Sequence, residues 1–555
     1  MTELLLLTPL APLLTALLLL WNRPKLAYGF VLSCLPALAL GLYPVADLSL
    51  GFLWPGAHWG LTDPVNRLFL LLTASLWALA GLFAASSQRQ DPHWRRFWCF
   101  WLLTLSGNLL LIIARDPISF YLGFTLMSLC AYGLVAHLPG PGPRRAGRLY
   151  LQLAVLGEML LYAGFMLRLH ETQGSLDLSL WQQQPMGGWT AFLLFLGFGL
   201  KAGFWPLHVW LPLAHPAAPA AASAVLSGVM LKAGILGLWQ FLPSGTPWLT
   251  QAAPWLFALG LYSAFFGIAM GLLQSRIKVL LAYSSISQMG YLLIILSAAW
   301  RHPDASLAWG MLLALYALHH GLAKGSLFLA AGLAAQKHLR PWHWYLLCLP
   351  ALALAGLPLT SGALAKIQLK NLLGQTDFEA WLGLVTLGSG ATALLVFRAL
   401  WLFRSQLPIS PKATAHWGQG AWLPLALAVL VLPWTLPQWR DTLFYSLELR
   451  NVIPLIAPLA LAGLVAIGFI WRQTGLPAKL RDCGSPAPRL SLALSRSLLA
   501  ASHSTARRVV RTKPGFAWRH HERRWNRFWF RQNTPVVSAW LICVVICAGW
   551  LISRV

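Results

Sequence analysis

Apolar runs long enough to cross a bilayer recur about sixteen times along this chain. They centre near residues 12, 37, 75, 104, 127, 159, 197, 230, 263, 288, 320, 357, 392, 429, 462 and 544. That repetition constrains the fold more than any other feature. In hydrocarbon every backbone N–H and C=O needs an internal partner, and a run of about twenty apolar residues meets that need as a helix. Composition agrees: 58% of residues are hydrophobic, 10% are charged and the mean hydropathy is +0.63. The sequence therefore predicts an all-α polytopic membrane protein of about 14–16 transmembrane helices, rather than a soluble enzyme with an anchor.

In a soluble chain, a net charge of +26 would suggest a nucleic-acid partner. Here the basic residues fall in alternate loops. Arg23 and Lys25 follow span one, Arg89, Arg95 and Arg96 follow span three, and Arg144, Arg145 and Arg148 follow span five. The positive-inside rule then puts the N-terminus outside and the odd-numbered loops in the cytoplasm of a prokaryotic inner membrane. No cleaved signal peptide is expected, since Met1-Thr2-Glu3 lacks a basic leader. The chain divides into N-terminal helices (1–94), a core (95–405), C-terminal helices (406–472), a basic cytoplasmic segment (473–533) and a final span (534–555). The basic segment interleaves aromatics and cations, as an interfacial helix at anionic lipid headgroups does. Being tethered between two spans, it is read as a lipid or subunit contact, with no nucleic acid as partner. The seven cysteines form no C-x-x-C, and no Gly-rich nucleotide loop is present, so neither a metal nor a cofactor is expected.

Two spans carry breaks: span seven at Phe204-Trp-Pro206 and span twelve between Gly356 and Gly362. Broken helices at membrane depth persist only where they line a cavity or are buried in protein. Breaks five spans apart read as two inverted five-helix repeats, spans four to eight and nine to thirteen.

The titratable residues cluster near these breaks. Of 11 lysines, Lys201, Lys232, Lys324 and Lys366 lie within apolar runs, and Lys278 lies near a helix end. A lysine in hydrocarbon is expensive unless a cavity or partner supports it. Unlike arginine, it releases its proton when desolvated. A row of such lysines reads as a proton path: Glu158, Lys201, Lys232, His320, Lys324 and Lys366. Glu158 is the one acid placed deep in the membrane, and its expected partner is Lys201. His319 and His320 precede Lys324, and His320 shares a face with it one turn away. His208 and His215 flank the first break, where each either relays protons or caps free backbone. With His319 and Lys278 they are secondary relay candidates. Arg398 is permanently charged and cannot relay.

The string Lys201-Ala-Gly-Phe-Trp-Pro-Leu-His208-Val-Trp-Leu-Pro-Leu213-Ala-His215-Pro, followed by Gly228-Val-Met-Leu-Lys232, resembles the antiporter-like proton-translocating membrane subunits. These occur in respiratory complex I, in membrane-bound hydrogenases and formate hydrogenlyase, and in Mrp-type cation/proton antiporters. Ile277-Lys278 through Tyr291, His320-Gly-Leu-Ala-Lys324 and Gly356 through Lys366 resemble the same family. The likeness covers roughly residues 60–405. Arg481-Asp-Cys483-Gly resembles a short motif of the hydrogenase-type members.

The resemblance implies a proton-translocating subunit of a larger energy-converting complex, carrying no redox centre and no covalent chemistry of its own. Its partners would be other membrane and peripheral subunits, and its cargo H⁺ or Na⁺. In the family, the span-seven lysine pairs with a glutamate on span five. Here the family's Trp-Glu-Leu-Met-Ser-Leu reads Phe124-Thr125-Leu-Met-Ser-Leu129, and Leu213 replaces an aspartate. Glu158 on span six is expected to stand in for the missing span-five acid. Two other readings stay open: the proton-coupled membrane subunit of an inorganic-carbon uptake complex, and a membrane scaffold without transport.

Overall fold

The computed structural model describes residues 2–19, 29–407, 417–435 and 442–471. The basic segment 473–533, the final span, Cys483, Cys543 and Cys547 lie outside the described residues. Ten helices among the described residues are long and apolar enough to cross a membrane. Shorter apolar helices occur at Glu3–Leu18, Gly29–Leu42, Gly188–Ala202 and Asn451–Val465. Fourteen of the expected centres fall on helices. Residue 357 falls in the expected gap of span twelve, and residue 544 lies outside the described residues.

The chain opens with α1 (Thr2–Leu18) and α2 (Gly29–Leu42). A feature absent from the sequence reading follows. Strands β1 (Val45–Ser49) and β2 (His58–Leu61) form an antiparallel hairpin, with Leu48 opposite Trp59. This hairpin seats the start of a later helix. Asp116 caps α5 (Pro117–Val135) by accepting from Ser119 N at 2.8 Å. It also accepts from His58 N and from Trp54 Nε1, and Trp59 Nε1 donates to Ser119 Oγ at 2.8 Å. Before α5 come α3 (Pro64–Ser87) and α4 (Trp94–Ile113); after it comes α6 (Pro141–Glu171).

The first break follows a short α7 (Leu178–Gln183). Helix α8 (Gly188–Ala202) stops at Gly203, whose φ of 71° is left-handed and costs glycine little. Trp205 N donates to Ser263 Oγ and Trp210 Nε1 to Leu200 O, so backbone freed at the break finds partners. The short α9 (Leu211–Ala217) then ends in a second interruption at Ala218-Pro219. Helix α10 (Ala220–Val225) passes through a π turn, Leu226–Met230, into α11 (Leu231–Phe241). The sequence reading expected one break here and an unbroken span eight. The prolines at 216 and 219 interrupt the backbone ladder a second time.

Helices α12 (Pro247–Leu272), α13 (Ile277–Arg301) and α14 (Ser306–Ala335) complete the centre. The second break separates α15 (Pro341–Ala355) from α16 (Ser361–Leu373) at Gly356, φ 98°. Then come α17 (Leu382–Ser405), α18 (Trp417–Thr435) and the last described helix, Leu449–Trp471. Burial ranks the helices: the apolar window of α13 and that of Ala220–Phe241 are 100% buried, whereas that of α6 is 39% buried. The lysine-bearing helices α11 and α13 thus lie inside, and α6, which carries Glu158, lies at the rim.

Candidate functional site

Glu158 and Lys201 are buried, on α6 and α8, which pack together. They line one cavity of about 20 Å³ with Phe124, Ser128, Tyr150, Gly157 and Trp210. That is room for about one water molecule. The two charged side chains make no direct ion pair. Glu158 Oε2 accepts from Thr125 Oγ1 at 2.7 Å. Lys201 Nζ donates to Ser128 Oγ at 3.1 Å and to Tyr150 OH at 3.0 Å. Tyr150 in turn donates to Ser128 O at 2.8 Å. The structure therefore brings the expected partners to one cavity, each held by separate hydroxyls rather than by the other. The reason is geometric: Gly157 lets α6 approach α8 at Gly197 and Leu200, and the Glu158 side chain then reaches toward α5, where Thr125 meets it.

The remaining lysines share a different motif: each donates to a backbone carbonyl. Lys232 Nζ reaches Ser227 O in the π turn at 2.5 Å. Lys278 Nζ reaches Ala218 O, at the interruption before Pro219, at 2.7 Å. Lys324 Nζ reaches Leu281 O on α13 at 2.9 Å. Lys366 Nζ reaches back across the second break to Ala355 O at 2.7 Å. Three of these carbonyls sit where the helical ladder is disturbed, so the amine meets an acceptor that lipid cannot satisfy.

The histidines divide. His319 on α14 bonds Ser361 Oγ through Nδ1 at 2.8 Å and so touches the start of α16. His320 and His215 are buried, and neither ring nitrogen of either has a hydrogen-bond partner among the described residues. His215 stacks on Phe328 with ring centroids 4.6 Å apart. His208 is half-buried in the first break with its ring edge-on to Phe266. Arg398 on α17 donates to Gln274 O and lies over the Trp401 ring.

Sequence reasoning missed the hydroxyls. Ser128 and Tyr150 hold Lys201, Ser227 bonds Ser285 at 2.7 Å, and Tyr316 bonds Gln288 at 2.9 Å. A faint signal existed. Thr125 and Ser128 are three apart on α5, and Tyr150 and Glu158 are eight apart on α6, so each pair shares a helix face.

This architecture defines a class: a multi-pass helical membrane protein whose described interior holds a line of buried amines, interrupted helices and a carboxylate beside the first break. Residues 114–394, just over half of the 555-residue chain, match the family described as NADH:quinone oxidoreductase/Mrp antiporter, transmembrane, and the chain belongs to it. It is 33% identical over 284 residues to hydrogenase-4 component B of Escherichia coli strain K12, covering 49% of this chain and 42% of that one. The chain spans about half the length of the curated relatives it matches. A chain of respiratory complex I from Thermus thermophilus with bound NADH superposes with a TM-score of 0.66 at 25% identity, over 83% of this chain and 99% of that one. A chain of the Mrp complex from Dietzia sp. DQ12-45-1b gives a TM-score of 0.67 at 23% identity, over 100% of this chain and 63% of that one, a likeness of fold.

Proposed function

We propose that this chain moves protons across a prokaryotic plasma membrane as one subunit of a larger complex of the hydrogenase or complex I kind. The observation that carries the reading is the Glu158–Lys201 site: a carboxylate and an amine buried on one water-sized cavity, each held by its own hydroxyls. A proton held there passes to Lys232, His320 and Lys324 on the inner helices and on to Lys366, with His319, His215, His208 and Lys278 as secondary stations. Protonating one amine disfavours the charge on its neighbour, which couples the stations electrostatically. Glu158 takes the part of the acid that the family carries on span five. Support comes from the Thr125 hydroxyl, which stands at that family position and binds Glu158.

The same reading takes the two broken helices as equivalent members of an inverted repeat, supported by their shared ending on a left-handed glycine. It places the N-terminus outside and residues 473–533 in the cytoplasm against anionic headgroups or a neighbouring subunit. The loop charges support that orientation. The test is the full chain in proteoliposomes containing a pH dye, with an inside-negative potassium diffusion potential. Wild-type vesicles should acidify inside, and Lys201→Ala vesicles should match empty ones. Indistinguishable traces from all three would refute proton transport.

A further inference from the structure

Ser128 is not among the charged residues that the sequence singles out, yet it sits between the two that matter. Its Oγ accepts from Lys201 Nζ at 3.1 Å. Ser128 also lines the water-sized cavity that it shares with the Glu158 carboxylate, whose Oε1 is buried and has no hydrogen-bond partner among the described residues. Thr125 holds the opposite oxygen, Oε2, so Oε1 remains free to take a proton. Ser128 is itself buried, and its backbone carbonyl is pinned by Tyr150. A hydroxyl is both donor and acceptor, so it passes a proton on without ever carrying a net charge.

We propose that Ser128 is the proton-relaying residue between Lys201 and Glu158. The inference rests on the proton-transport reading of this site. In the transfer, an N–H bond of the Lys201 ammonium breaks as that proton bonds to Ser128 Oγ. The proton that Oγ carried leaves for a water in the shared cavity, and that water passes one of its own protons to Glu158 Oε1. One proton crosses in total, the ammonium becomes an amine, the carboxylate becomes a carboxylic acid, and serine is regenerated with its hydrogen bond reversed. The step runs backwards by the same atoms. It requires no movement of either charged side chain, which suits two groups held by separate hydroxyls.

The experiment compares Ser128→Ala, which removes the hydroxyl, with Ser128→Thr, which keeps it. Each full-length variant is reconstituted as above after its monodisperse elution is checked. Ser128→Ala should lower proton flux about tenfold or more, the scale of a positioned proton-transfer group, and Ser128→Thr should restore most of it. Wild-type flux in Ser128→Ala, or an equal loss in both variants, overturns the relay. An infrared readout guards against a folding defect. The carboxylic C=O stretch that disappears in Glu158→Gln should move in Ser128→Ala, as the hydrogen-bonded chain across the cavity is broken, and an unmoved band also overturns the proposal. Lys201→Ala separates the two levels of argument. If it abolishes flux while Ser128→Ala does not, the relay fails and proton transport stands; if it leaves flux intact, the transport reading itself fails.

Discussion

The two broken helices end alike and use their lysines differently. Helix α8 and helix α15 each stop on a left-handed glycine, with a proline two or three residues beyond. At the first break, Lys201 precedes the glycine and bonds two side-chain hydroxyls, beside a carboxylate. At the second, Lys366 follows the glycine and bonds the backbone carbonyl of Ala355. No acid joins it. A hydroxyl exchanges protons, whereas a peptide carbonyl only accepts a hydrogen bond. On the proposed reading the first break passes a proton sideways, and the second holds an amine against the helix end it also caps. One backbone device thus supports two chemical environments.

The largest expected effect is at the first break. Lys201→Arg should abolish proton flux as completely as Lys201→Ala, because a guanidinium keeps its charge but does not release a proton. Full flux in the arginine variant, read by dye quenching in vesicles, would remove the distinction between the two breaks.

Next in size is the carboxylate. Glu158→Gln keeps an acceptor for Thr125 and loses the charge. It should cut flux roughly 10- to 100-fold, within the range of positioned acid–base groups. Adding Thr125→Glu to that variant returns an acid to α5 and should recover much of the loss. Wild-type flux in Glu158→Gln alone would make the carboxylate structural and leave the first break, like the second, to amines.

The second break is probed by Lys366→Arg and Lys366→Met. Arginine still donates to Ala355 O, so thermal stability should hold while flux falls. Methionine leaves that buried carbonyl unpaired and should also cost about 1–3 kcal/mol. If Lys366→Arg retains full flux, Lys366 is a cap and no station on the path.

The smallest effect lies at the loop that follows α16. Asp377 bonds Arg301 Nε at 3.1 Å and His302 Nε2 at 2.8 Å, tying this loop to the end of α13. Partial burial alone would raise the Asp377 carboxyl, but hydrogen bonds from His302 and Arg301 outweigh it and hold it below the usual carboxylate range. A depressed carboxylate stabilises the fold above its unfolded pKa, and that contribution is lost as the pH falls through its folded value. The pair is exposed, so Asp377→Asn should cost within about 1 kcal/mol at neutral pH and nothing in acid. Thermal melts at both pH values measure it. A large loss would show that the second half depends on this loop as the first depends on its buried hydroxyls.

Hydropathy made the helices legible because a lipid-embedded backbone has few options: an apolar run of spanning length is a helix. Phe204-Trp-Pro206 and the stretch from Gly356 to Gly362 marked where two of those helices break, and the lysines stood out because a charge in an apolar run is costly. The second interruption at Pro219 and the π turn were not read, since both lie in runs that remain apolar throughout. The hairpin before α3 was missed because its short strands lie between long helices.

What the sequence by itself determined was local: which segments are helical, where two of them break, and which ionisable residues lie in apolar runs. Only the tertiary structure decided which groups meet. Glu158 and Lys201 are 43 residues apart, and Thr125 and Ser128 come from yet another helix. Whether a carboxylate touches an amine or reaches it through a hydroxyl depends on how α5, α6 and α8 pack to within an ångström. Hydropathy and spacing carry no term for that distance, because the fold needs only that these helices bury one another, whereas a proton needs the atoms in line.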